Sequence, residues 1–126
     1  MPISNYLGNA VINATVRNTT YTSPANVWCA LYTTAPTAST SGTELTGTGY
    51  SRQAVTFSAP SAAATASTGN VTFTATANWS PVVATAIVDA STGGNILWYT
   101  NLASSQVVNS GGSIVLTTGS ITLAVT

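Results

Sequence analysis

Apolar and polar positions alternate with a period near two along most of this chain, and the clearest case lies at residues 82–99. Two β-branched, aromatic-rich runs, VVATAIV and ILWY, flank Asp89–Ala90–Ser91–Thr92–Gly93–Gly94–Asn95. Val, Ile, Trp and Tyr favour a pleated, half-buried backbone. Asp89 can bond the backbone ahead of it, and Gly93 and Gly94 can take positive φ. The stretch predicts a hairpin, and the remaining strands are expected beside it.

The segment NVWCALYT, residues 26–33, predicts a strand with Val27, Cys29 and Leu31 on one face and Trp28, Ala30 and Tyr32 on the other. Both faces are apolar, so both should be covered, as in a central strand. Residues 50–57 and 70–75 alternate as strands. So do 106–108, 113–117 and 121–125, with breaks at Pro60, Gly111–Gly112 and Gly119. Residues 61–69 are small and read as flexible. Residues 34–49 show no periodicity and read as a long contact loop, because long loops in compact domains are usually functional or mobile. One helix is expected within residues 1–17. Ile3, Leu7, Ala10, Val11 and Ala14 form its stripe, Ser4 its N-cap, and Arg17 lies where a helix dipole favours a cation.

About eight short strands with regular turn signals predict an all-β fold, a mostly antiparallel β-sandwich. Jelly-roll-like and Ig-like orders both fit the pattern. The domain is expected to span residues 1–126 as one unit.

Composition adds what the pattern leaves out. Charged residues are 3% of the chain, against about 25% in ordinary proteins. The four charges are Arg17, Glu44, Arg52 and Asp89; there is no His and no Lys. The missing His excludes Ser–His–Asp triads and His-based metal sites. The missing Lys excludes Schiff bases and phosphate-loop lysines. Glu44 and Asp89 read as a loop charge and a turn former, so no catalytic residue, cofactor or metal site is expected.

Two arginines with zero net charge give no purchase on nucleic acid. The aromatics Trp28, Tyr32, Trp79, Trp98 and Tyr99 leave open a glycan-binding module, with core or interface filling as the plainer reading. The lone Cys29 cannot form an internal disulfide. The first residues show no basic stretch followed by a continuous apolar run, so no secretory signal is expected, and no apolar run is long enough to span a membrane. A surface almost bare of charged head groups is easily desolvated, so a homo-oligomer or assembled particle is expected.

Five segments, in order, carry a resemblance. They are LGNAVINATVR from Leu7, LYTTAP from Leu31, GTELTGTGYSRQAVTFSAP from Gly42, NWSPV from Asn78 and IVDASTGGNILWY from Ile87. Together the chain resembles a family of small tailed-bacteriophage virion structural proteins, tail-fibre-like or capsid-decoration-like. The resemblance implies a non-enzymatic protein made in the bacterial host cytoplasm and carried on the phage particle.

Within that family, a capsid cement or decoration protein bridging capsomers is expected, with the major capsid protein as partner. A tail or tail-fibre component, with tail proteins as partners, is the alternative. Tyr6, Leu7, Val11, Glu44, Arg52, Trp98 and Tyr99 are the candidate interface residues, in the helix, the 34–49 loop, the 50–57 strand and the hairpin. Glu44 and Arg52 share a segment and are expected to pair, pinning the loop to the sheet.

Overall fold

The computed structural model describes residues 1–125. It holds one helix, α1 (Asn5–Val16), and nine strands: β1 (Val27–Thr34), β2 (Thr43–Glu44), β3 (Gln53–Val55), β4 (Ala64–Ala66), β5 (Val71–Thr74), β6 (Val82–Val88), β7 (Ile96–Gln106), β8 (Ser113–Leu116) and β9 (Thr122–Ala124). All pairings are antiparallel. No helix among the described residues is long and apolar enough to cross a membrane.

The main layer is a five-stranded sheet with β1 and β6 at its centre and β7 outside β6. The other edge of β1 is shared by two strands placed end to end. β2 pairs with Tyr32 and Thr34, and β3 with Val27, Trp28 and Cys29. The second layer consists of the pairs β4–β9 and β5–β8. The pairings β6–β7, β5–β8 and β4–β9 are nested in sequence, one inside the next. The result is a small antiparallel β-sandwich.

The core forms because alternate residues of β1 and β6 face opposite ways. Cys29, Leu31 and Ile87 meet Val71, Phe73, Ile114 and Leu123 of the second layer. Phe73, Leu31 and Ile87 are at most 1% exposed. The opposite face carries Ala30, Ala84 and Ala86 with Tyr32 and Val88, edged by Trp28, Ile96 and Tyr99. The doubly apolar pattern of residues 27–32 therefore marks a central strand covered on both sides. The buried Thr85 hydroxyl donates to the Ala30 carbonyl at 2.9 Å and lies 3.2 Å from the Cys29 sulfur. Burial pushes the Cys29 thiol up to about 11, against the Thr85 hydrogen bond.

Several boundaries differ from the pattern-based expectation. Ile3 is not helical; it bridges to Trp98 on the outer edge of β7. The Ser4 hydroxyl caps the helix by accepting from the Leu7 amide at 3.2 Å, and it donates to the Ile96 carbonyl. Of the expected helical stripe only Leu7 is buried; Val11 is 37% exposed. Asn18, at φ 51°, ends the helix, and the Thr19 amide reaches back to the Asn13 carbonyl.

Residues 34–49 are not a free loop: β2 lies inside them, and Leu45 beside it is 3% exposed in the core. Residues 61–69 contain β4, entered through a two-residue turn in which Ala62 and Ala63 both have positive φ. The strand expected at 106–108 is instead the end of β7, with Val107 and Val108 beyond it.

Candidate functional site

Three of the four charges converge at one end of the main sheet. The gap between β2 and β3 leaves the Leu31 amide without a strand partner, and the Tyr50 hydroxyl accepts from it at 3.1 Å. That hydroxyl donates to Glu44 Oε2 at 2.6 Å. Arg52 closes on the same carboxylate with two bonds, Nε to Oε2 at 2.9 Å and Nη2 to Oε1 at 2.8 Å. Its Nη1 donates to the Ala90 and Gly93 carbonyls at 2.8 and 2.7 Å.

The planar guanidinium thereby ties β2 to the β6–β7 turn in a way an ammonium could not match. Asp89 shapes that turn from within: its Oδ1 accepts from the Asn95 amide at 2.7 Å, and Gly93 and Gly94 take φ of 63° and 73°.

Electrostatics follow from this geometry. The Arg52 side chain is 9% exposed and that of Glu44 is 28%. Burial raises the Glu44 carboxyl, but the hydrogen bonds from Arg52 and Tyr50 and the Arg52 charge outweigh it and leave the group below its ordinary value. The hydrogen bond to Glu44 raises Arg52 further. Burial, then the bond to Glu44, pushes the Tyr50 phenol far above the usual tyrosine range. Burial and the Glu44 charge push Tyr32 up to about 12.

A carboxylate held ionised, accepting three hydrogen bonds, is poorly placed to move a proton. The arrangement is built to hold segments together. Its anchor continues into the core, where the Tyr50 ring stacks on Phe73 and meets Trp79 edge-on, each at 6.0 Å between centroids. Trp79 Nε1 donates to the Thr48 carbonyl at 2.9 Å.

The sequence-derived candidates separate into three places. Glu44 and Arg52 meet in the clamp. Trp98 and Tyr99 lie on β7, half-buried and on opposite faces: Trp98 packs on the main core, Tyr99 on the alanine face. Trp98 Nε1 is buried without a partner among the described residues. On α1, Leu7 is buried while Tyr6 is 45% exposed. Tyr6 borders a shallow hollow formed with Thr37, Ser41 and Asn95. Of the five aromatics considered for stacking, Trp79 and Tyr32 are buried, and Trp28, Trp98 and Tyr99 are partly exposed.

Sequence reading missed Tyr50 as the link between Leu31 and Glu44. The signal available was a tyrosine two residues before the arginine in a chain almost without charge.

Fold and site together define a scaffold-type β-sandwich whose paired charges serve its own architecture. Compared with known proteins, the chain matches the family model described as Podophage GP4 fiber I protein gp80 over residues 2–124. It belongs to that family, a bacteriophage fibre structural protein family. No curated protein matches the chain.

Proposed function

We propose that this protein is a non-enzymatic structural component of a phage fibre, mounted on the virion through contacts with tail proteins. The match to a fibre family across residues 2–124 carries this reading. The clamp supports it, since Glu44, Arg52 and Asp89 are engaged in holding strands and a turn.

Cementing of the head through the major capsid protein is the competing position on the particle. In that position the protein would stabilise the assembled shell by binding it preferentially. Nothing in the geometry favours the head over a fibre, and the family's description favours the fibre.

The test is antibody labelling of intact particles in the electron microscope, with copy number from quantitative mass spectrometry. Label on projecting fibres, at copy numbers set by the fibres, supports the proposal. Uniform label over the head in hundreds of copies overturns it in favour of a cement protein.

A further inference from the structure

The second layer leaves a strand edge open. β8 is bonded to β5 along one side, and no strand among the described residues pairs with its other side. Residues 2–4 cover the outer edge of β7 only as far as Tyr99. Beyond it, Leu102–Ser105 have no register partner on either side. These two stretches line one groove of about 400 Å³, with Leu102, Val107, Ile114, Val115 and Leu116 in its walls. Val107 is 67% exposed and Val115 45%.

Open edges normally carry lysine, proline or inward charge that keeps other strands away. Here no lining residue is charged and none is proline. We propose that this groove is an interface between two copies of this chain, with β8 of each copy running antiparallel to β8 of the other and covering Val107 and Val115.

The chemistry of the groove selects that occupant. Unpaired backbone amides and carbonyls along an edge call for an extended strand rather than a helix or a small molecule. Walls without ionisable groups disfavour a basic or acidic segment, whose charge would be buried unpaired. A second copy brings an edge of the same make, and all four charges of the chain lie outside the groove. A two-fold axis through β8 sets the strand against itself in antiparallel sense, which is the geometry of an isologous contact. The inference names one contact within the proposed assembly. Its test reads mass in solution, so it stands or falls separately from the position on the particle.

The experiment is sedimentation equilibrium of the purified full chain across the micromolar range. The expected wild-type species has twice the chain mass. The double variant V107K/V115K is expected to sediment as a single chain, with its far-UV spectrum unchanged. The variant I12K/V16K, on the exposed side of α1, is expected to stay dimeric. If the lysine pair disturbs folding, V107T/V115T keeps the β-branched shape and exchanges one methyl for a hydroxyl at each site. It should weaken the dimer by about tenfold or more. A monomeric wild type, a folded lysine variant that remains dimeric, an unchanged constant for the threonine pair, or dissociation by the α1 variant overturns the proposal.

Discussion

Arg52 and Glu44 meet in a two-bonded ion pair that spans the gap between the two strands sharing one edge of β1, and Arg52 alone also reaches the β6–β7 turn. This differs from a surface pair, which is typically worth under about 1 kcal/mol. Removing Arg52 strands a part-buried carboxylate and frees two carbonyls. Arg52→Ala is expected to destabilise the fold by about 2–3 kcal/mol, short of the fully buried case because Glu44 keeps 28% of its exposure. Arg52→Lys should recover only part, since one ammonium cannot serve both the carboxylate and the turn. Chemical denaturation of the three proteins checks the order; equal midpoints for wild type and Arg52→Ala would contradict it.

The same pair sets an acid dependence. Glu44 titrates below its ordinary value of 4.5 in the folded protein. As pH falls, the unfolded chain therefore binds this proton first. The contribution is fully present above about 4.5 and is lost as pH drops towards the folded value. Thermal midpoints of wild type should fall in that window, and Glu44→Gln, less stable at neutral pH, should give a flatter profile there. Parallel profiles for the two proteins would refute the assignment.

Strain sits at the other layer. Ala62 and Ala63 adopt left-handed φ of 52° and 60° in the turn leading into β4. An alanine held there costs roughly 1–2 kcal/mol relative to its preferred regions. Ala63→Gly should raise stability by up to about 1 kcal/mol, part of the gain being offset by glycine's larger unfolded-state entropy. A calorimetric midpoint lower than wild type would show that the turn is not strained as described.

Two glycines should respond with opposite signs to alanine. A Cβ at Gly47 would enter the Trp79 indole ring, which is itself fixed by Thr48. Gly47→Ala is expected to cost about 1–3 kcal/mol by overpacking. A Cβ at Gly8, inside α1, meets nothing within 4 Å, so Gly8→Ala should stabilise by about 0.5–1 kcal/mol. Urea titrations of both variants decide the matter, and a shift of the same sign in each would contradict the packing described.

Much of this was legible from residue order. Two-residue periodicity in 27–32 gave the correct facing of Trp28, Cys29, Ala30 and Leu31, because a central strand carries its pattern on both sides. The Asp89–Asn95 turn was legible because its chemistry is local.

What escaped was non-local or atypical. β2 spans two residues and exists because Glu44 and Leu45 are held by Arg52, Tyr50 and Leu31, partners that no short window contains. β4 escaped because its turn uses two alanines where glycine or asparagine usually stands. The pairing of Glu44 with Arg52 could be anticipated because a chain with four charges offers few partners. Tyr50 could not, since its role depends on the gap between β2 and β3.

The nesting of β6–β7 inside β5–β8 inside β4–β9 has a kinetic consequence. Once the inner hairpin has closed, each outer ladder begins with its ends already near one another, so the conformational search shrinks step by step. Closure should proceed outward from Asp89–Asn95, with the ladder of Ala64–Ala66 and Thr122–Ala124 last. Stopped-flow measurements should then find that Ile87→Val mainly slows refolding while Leu123→Ala mainly hastens unfolding. The reverse partition would place the nucleus in the outermost ladder.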